Sequence, residues 1–413
     1  MHILFLTDNF PPEGNAPASR TYEHAIRWVE QGSKVTVITT VPNFPEGKVY
    51  AGYKNKIYQR ECIDGIDIVR VMSFITANEG FLLRTIDYLS FMITGFFAGV
   101  FQKSPDVIVA TSPQFFTACS GWLISVIRRR PFVFELRDLW PASILALGAI
   151  KNNTIISLLE KTELFLYRQS KGIVTVTNAF KEDLISRGID GEKILVSLNG
   201  VDLNRFKPAI VKDEVLLKKY NLHNKFIIGY IGTHGLAHEL NSIIDAAVEL
   251  QKYSEIVFLL VGSGSERSKL IEDVKKRGVS NVLFVESQPK DMINKYWSLC
   301  DISLIHLKNI EIFKTVIPSK LFESMGMGLP VLMAMPEGEA TKIVKEYNIG
   351  IVITSGIYEE LVENILELKE NKRLLDTFKK NSLQASKVFS RAKQAKKMLN
   401  FFTKLTNSVP LNK

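Results

Sequence analysis

The chain has 413 residues, too long for one core of ordinary size, so its length predicts two or three domains. A hydrophobic fraction of 46% without low-complexity tracts excludes a fibrous or largely disordered chain. The formal charge of +9 calls for an anionic partner: nucleic acid, a membrane face or a small anionic substrate. No helix-turn-helix, zinc-finger or RNA-binding signature accompanies it, so nucleic acid is not expected. Cys62, Cys119 and Cys300 are widely spaced, suit a reducing compartment and form no redox or zinc motif.

From the N-terminus, "MHILFLTD" offers only a four-residue apolar run, without the basic start and long apolar core of a signal peptide. It reads as a first β-strand, and export is not expected. Similar runs follow, with helix-length segments between them: "KVTVITT", "IDIVRV", "DVIVAT", "FVFEL", "GIVTVT" and "KILVSL". Strands this apolar are parallel and covered on both faces. Residues 81–101, "FLLRTIDYLSFMITGFFAGVF", approach membrane-spanning length, but Arg84 and Asp87 interrupt them. The remainder is nearer core-helix length, with an interfacial role if its apolar side stays uncovered. Arg128-Arg129-Arg130 reads as a solvated turn or a membrane-facing patch. "FVFELRDLWPAS" ends a buried strand in Arg137-Asp138, followed by Trp140-Pro141. Such a pair is either a salt-bridged corner or an active-site feature. The second is expected, because that edge would face an inter-domain cleft also lined by Gly14, Asn15 and Arg20 of "PPEGNAPASR".

The charged stretch "PAIVKDEVLLKKYNLHNK" reads as a linker, after which the pattern restarts near residue 226 with "FIIGYIG", "IVFLLVG", "NVLFVE", "DISLIHL", "PVLMAM" and "GIVIT". The expected architecture is α/β: two Rossmann-like, doubly wound domains facing across a cleft, residues 1–210 and 225–375. A basic closing helix, about 385–405, returns to the first domain.

Three places in the second half could seat an anion on backbone N–H groups at a helix N-terminus. They are "GTHG" (Gly232, Thr233, His234, Gly235), "VGSGSE" with Gly262 and Gly264, and "PSK" (Pro318, Ser319, Lys320). Glycine there lets a ligand approach the backbone closely. With Ser319 as N-cap, the first amides and Lys320 could hold a diphosphate. Glu323 would sit on the same helix face, about 6 Å further along, where its two oxygens suit ribose hydroxyls. Leu321 would turn toward the core. A nucleoside diphosphate fits this set better than free phosphate. The dinucleotide fingerprint is not met, and the six histidines form no metal-ligand cluster, so neither a metal nor another cofactor is expected. His234 and His238 flank the glycine loop and are candidates to face the ligand.

"NGVDLNRFKP", "PSKLFESMGMGLPV", "RDLWP" and "YIGTHGLAH" together resemble bacterial GT-B glycosyltransferases of family 4 over nearly the whole chain. Within that group the similarity is to O-antigen and capsule enzymes such as L-N-acetylfucosamine transferases. The resemblance implies a UDP-sugar donor on the second domain and an acceptor, such as a lipid-linked saccharide, on the first. Glu323 would match the family's ribose-binding second Glu, Ser319 and Lys320 its diphosphate grip, and Asp138 a polar cleft position. The family's first Glu is Thr315 here, and its glycine-loop Arg and Lys align with Thr233 and His238. Those departures keep two alternatives open, a nucleotide-sugar epimerase on the same scaffold and a non-catalytic nucleotide-sugar-binding subunit. The basic balance and the 81–101 helix add an expected location, cytoplasmic and peripheral on the anionic inner face of the cell membrane.

Overall fold

A computed structural model describes residues 1–407 except 45, 77–80, 113–114, 140–152 and 210; Trp140 and Pro141 lie outside the described residues. The chain forms two compact units, Met1–Leu198 with Ala392–Lys413, and Asn199–Arg391.

The first unit holds eight strands: β1 (His2–Leu6), β2 (Lys34–Thr40), β3 (Tyr58–Ile63), β4 (Ile66–Val71), β5 (Val107–Thr111), β6 (Phe132–Leu136), β7 (Gly172–Thr175) and β8 (Ile194–Val196). Their order is β3-β4-β2-β1-β5-β6-β7-β8. The pairings are parallel apart from β3, which runs antiparallel to β4. Sequence patterning did not announce β3, because "YQRECI" alternates half-buried and exposed residues along a sheet edge instead of forming an apolar run. Asp64 and Gly65 make its tight hairpin, with φ of 50° and 79°, the left-handed pair that such a turn needs. Helices α1 (Ala16–Glu30), α2 (Phe81–Val100), α3 (Phe115–Arg128), α4 (Asn153–Gln169) and α5 (Asn178–Ser186) link the strands.

In the second unit β9 (Phe226–Ile231), β10 (Ile256–Val261), β11 (Val282–Val285), β12 (Ile302–His306), β13 (Val331–Ala334) and β14 (Gly350–Ile353) pair in the order β11-β10-β9-β12-β13-β14. All these pairings are parallel. The helices are α6 (Glu214–Lys219), α7 (Asn241–Leu250), α8 (Arg267–Arg277), α9 (Lys290–Leu299), α10 (Ser319–Met327), α11 (Glu339–Glu346), α12 (Tyr358–Glu370) and α13 (Lys372–Val388). The stretch expected to be a linker contains α6. Asp213 caps it by accepting from Leu216 N at 3.0 Å, Leu216 and Leu217 are buried, and Lys212 pairs with Asp301 at 2.8 Å. A cap and two leucines make it part of the second unit, and the chain crosses between units at Leu198–Asn199 instead.

The closing helix α14 (Arg391–Asn407) belongs to the first unit from Ala392 onward. It packs with α1: the Trp28 indole N–H donates to the Ala395 carbonyl at 2.9 Å, and its ring meets Phe402 edge-on at 5.5 Å. Helices α2, α3 and α4 contribute to the core on the sheet's other face.

Each sheet reverses direction beside its first strand, between β1 and β5 and between β9 and β12. Open parallel sheets bind ligands outside the carboxyl ends of strands at such a switch. The loop Gly232–Gly235 follows β9 there in the second unit.

Candidate active site

The loops after β9 and β10 are knitted to each other. His234 N donates to Ser263 O at 2.8 Å, Glu266 N donates to His234 O at 2.9 Å, and Gly232 N to Val261 O at 2.9 Å. Gly262 and Gly264 have φ of 151° and 154°, and a Cβ on them would lie 1.9 Å from Gly232 O and 2.4 Å from His234 O. Their missing side chains therefore admit the neighbouring loop. The start of α8 is occupied likewise, because its Glu266 N–H is spent on His234. Nor does the β9 loop open an α-helix directly: Gly235 leads into a single tight turn, Leu236–His238, and α7 begins only at Asn241.

What the glycine loop covers is Lys320. This side chain from α10 runs beneath Gly232, where an added Cβ would sit 2.9 Å from Nζ. Its Nζ lies 3.6 Å from the centre of the Tyr230 ring, and the Tyr230 hydroxyl donates to Thr233 O at 2.7 Å, which holds the loop in place. Lys320 is 9% exposed, and Nζ has no hydrogen-bond partner among the described residues. Burial pulls its pKa from the usual lysine range to about 7, against the raising effect of Glu323 nearby. An ammonium hidden from water without a counterion is costly, and such a cost persists where a ligand repays it.

At the N-terminus of α10 the cap is Pro318, with no side-chain cap bond, and Ser319 is the exposed first helical residue. This corrects the expected N-cap role of Ser319: proline's fixed φ suits the position before the helix, and the serine hydroxyl is not used as the cap. Leu321 is fully buried. Glu323, half-buried one turn on, accepts from the Trp297 indole N–H at 3.2 Å. Thr315, at the family's first Glu position, donates its hydroxyl to Ile312 O at 3.0 Å.

The two histidines of the loop sit in different surroundings. His234 is fully buried with neither ring nitrogen bonded, and its pKa is lowered to about 4 by burial, then by Arg267, Lys320 and His238. His238 and His306 each give a ring Nδ1–H to the other's carbonyl, at 3.3 Å and 2.9 Å, tying the β9 loop to the end of β12. Burial and then Lys320 lower His238 to about 4, so it is neutral near pH 7. Two cations, Lys320 and Arg267, act on this loop, and both lower the pKa of His234. A cavity of about 200 Å³ opens beside the same loop. Gly232, Thr233, Gly262 and Ser263 line it with Ser287, Gln288 and Ile293; the two glycines and Thr233 were singled out from sequence, and Ser287, Gln288 and Ile293 were not. The signal available for Ser287 and Gln288 was their place directly after the β11 run.

In the first unit the β6 edge and the α1 loop do meet. Arg137 Nη1 donates to Pro17 O at 3.3 Å, and Ser112 Oγ accepts from the backbone N–H groups of Arg137 and Asp138 at 2.8 Å and 3.3 Å. Gly14 is exposed in that loop, and Asn15 caps α1 through Ala18 N at 2.9 Å. Arg20 is not a lining residue. It is 1% exposed, paired with Glu135 at 3.0 Å and bonded to the carbonyls of Ser197 and Leu198. Sequence reading passed over Asp8, two residues past β1 at the switch point and 8% exposed. Burial, then Asp87, holds its carboxyl well above the usual range.

Residues 18–205 match the family "Glycosyltransferase Family 4" and residues 212–385 the family "Glycosyl transferases group 1". The chain is a glycosyltransferase built from these two domains on the GT-B fold. A relative in Escherichia coli, named putative colanic acid biosynthesis glycosyl transferase WcaI, is 26% identical over 79% of this chain and 82% of its own. The alpha-galactosylglucosyldiacylglycerol synthase of Streptococcus pneumoniae is 24% identical over 62% of this chain and 67% of its own. The crystal structure of Anabaena Alr3699/HepE in complex with UDP-glucose superposes with a TM-score of 0.71 over 98% of this chain and all of that one, at 18% identity.

Proposed function

We propose that the protein transfers a sugar from a UDP-sugar held by the second unit to a lipid-linked saccharide held by the first, in the assembly of a bacterial surface polysaccharide such as O-antigen or capsule. The observation that carries this reading is the unpaired, buried Lys320 ammonium one turn before a carboxylate fixed by Trp297. In this reading Lys320 and the N-terminus of α10 stabilise the charge that develops on the diphosphate as the glycosidic bond breaks. Glu323 accepts from the ribose hydroxyls, and the cavity beside Thr233, Ser287 and Gln288 receives the base. The Anabaena complex with UDP-glucose, on the same fold, supports UDP as the nucleotide. Because the chain supplies its own cation, the transfer needs no metal, and a chelator should leave the rate unchanged. Arg137 and Asp138, with the Gly14–Asn15 loop, serve the acceptor. The names of the E. coli and S. pneumoniae relatives favour an extracellular polysaccharide or a lipid acceptor. We place the protein in the cytoplasm, peripheral on the inner membrane face. Among the described residues no helix is long and apolar enough to cross a membrane.

The test is a panel of UDP-sugars, with UDP-N-acetyl-L-fucosamine first, monitored for UDP release with and without a lipid-linked saccharide. Acceptor-dependent release supports the proposal. Isomerisation of the donor without acceptor would make the protein an epimerase, and tight UDP binding without turnover of any donor would make it a binding subunit.

A further inference from the structure

The first unit has a cavity of its own, on residues that neither the donor nor the acceptor reading uses. It measures about 350 Å³. That is toward the small end of ligand pockets, which run from about 300 to 1,000 Å³. Gly52, Tyr53, Gln59, Arg60, Glu61 and Arg70 line it. Strand β3 runs antiparallel to β4 and sets Gln59 against Arg70, near the end of β4. The start of this edge strand therefore stands at the carboxyl ends of its parallel neighbours, the edge of the sheet that also carries the acceptor loop after β1.

The cavity is built on a rigid floor. Arg70 is 1% exposed, and each nitrogen of its guanidinium is engaged. Nε donates to Glu61, Nη1 to the Thr40 carbonyl at 2.8 Å and Nη2 to the Pro11 carbonyl. The guanidinium also lies 5.0 Å from the centre of the Tyr53 ring. Pro11 shares its loop with Gly14 and Asn15, and Glu13 of that loop accepts from the Asn43 and Phe44 N–H groups at 2.9 Å each. These bonds hold the cavity and the acceptor loop in one frame. Across the sheet β3 is three strands from β1, about 14 Å at the ordinary strand spacing.

Around the floor stand uncommitted polar groups. Glu61 spends one oxygen on Arg70, and Gln59 its amide N–H on Lys54 O at 2.9 Å. Among the described residues Glu61 Oε2, Gln59 Oε1 and the Tyr53 hydroxyl make no hydrogen bond. Arg60 gives only Nη2, to Gln102 at 2.7 Å, and has no ion pair. This mixture decides the ligand class. The lining has no aliphatic side chain, which disfavours a lipid tail. A phosphate would meet the Glu61 carboxylate and an arginine already engaged, and an amine would meet two guanidiniums. Donors and acceptors interleaved beside one aromatic ring suit a molecule whose hydroxyls both donate and accept, which is a sugar.

We propose that this cavity is a saccharide subsite of the acceptor, holding a sugar residue beyond the one that reacts. The inference rests on the lipid-linked saccharide reading and deepens it. About 14 Å from β1, the cavity is too far for the reacting ring itself, so it selects the acceptor by a sugar further along its chain. The experiment is saturation-transfer NMR of the full chain with the methyl glycosides of glucose, galactose, fucose and glucuronic acid, the last because of the free Arg60 charge. Wild type should pass saturation to at least one of them. Gln59→Trp fills the cavity with a side chain suited to a strand and should abolish the transfer. Glu61→Gln keeps an oxygen for Arg70, so the fold holds, and should weaken binding about tenfold through the lost charged acceptor. No transfer to any glycoside would overturn the proposal, as would transfer undiminished in both variants. Displacement of the sugar by an equal concentration of inorganic phosphate would overturn it too, making the cavity an anion site. UDP titrated into the same samples keeps the two readings apart. Sugar binding without UDP binding strikes the transferase reading, and UDP binding without sugar binding strikes the subsite alone.

Discussion

Arg20 in the first unit and Lys320 in the second are long cationic side chains taken almost wholly out of water, yet their surroundings are opposite. Arg20 meets Glu135 and two backbone carbonyls. Among the described residues Lys320 Nζ has no hydrogen bond; it has the Glu323 charge nearby and the face of Tyr230, which returns about 2 kcal/mol at best when desolvated. A buried charge that is paired can serve the fold. One left unpaired weakens the fold, and in the proposed function the donor diphosphate supplies the missing counterion. On that reading Arg20 is a structural cation and Lys320 a binding one.

The strongest way to break that contrast is to remove the paired cation. Arg20→Met should cost about 3–5 kcal/mol, because Glu135 would be left as a buried, unpaired carboxylate whose Oε2 already lacks a partner. Urea denaturation of the first unit's transition measures it, with UDP affinity unchanged. A loss under about 1 kcal/mol would remove Arg20 from the structural class.

Lys320→Met should do the reverse. Replacing a buried, unpaired charge by an apolar side chain of similar length should stabilise the second unit by about 1–4 kcal/mol. UDP binding should weaken by about 1.5–3 kcal/mol, the worth of a charge-assisted contact. Calorimetry of unfolding and of UDP binding reads both signs. If the variant loses stability along with affinity, Lys320 is structural after all.

Glu323→Gln sharpens the comparison from the side of the partner carboxylate. Glutamine keeps an oxygen to accept from Trp297, so stability should hold within about 0.5 kcal/mol. UDP affinity should fall by less than in Lys320→Met, on the order of 1–2 kcal/mol, because one acceptor and its charge are lost. Unchanged affinity for UDP, with uridine binding equally unaffected, would take Glu323 out of the ribose role.

These residues were legible to different depths. The apolar runs marked the buried parallel strands, since a strand covered on both faces has no polar side to disguise it; β3 escaped because it is half-exposed. Glu323 was found by helix spacing, which puts it on one face with Ser319, and Lys320 by its place in the helix's first turn. That Lys320 would be buried could not be read, because its cover, Tyr230 and Gly232, lies some ninety residues earlier in the chain. Gly262 and Gly264 were read as making room for a ligand, since a glycine in sequence does not say which neighbour needs the space. The stretch before residue 226 looked like a linker because its charges outweigh Leu216 and Leu217, the two residues that bury it.

The same contrast fixes how the protein should respond to pH. Lys320, at about 7 in the free fold and about 10.4 unfolded, is a group whose folded pKa is depressed. Between these values the unfolded chain binds the extra proton, so stability should rise as pH goes from about 7 to 10 and stay flat in this respect below 7. Ligand binding carries the opposite sign. The UDP diphosphate favours the ammonium and raises its pKa in the complex, so above pH 7 binding takes up a proton, and affinity should fall by up to tenfold per unit until the bound-state pKa is passed. His238 and His234, at about 4, are neutral over this whole range and should contribute nothing to it. Titration calorimetry at pH 8 in buffers of different ionisation enthalpy should therefore show proton uptake for wild type and for His238→Gln, and none for Lys320→Met. Uptake that survives Lys320→Met but disappears in His238→Gln would transfer the phosphate contact to the histidine.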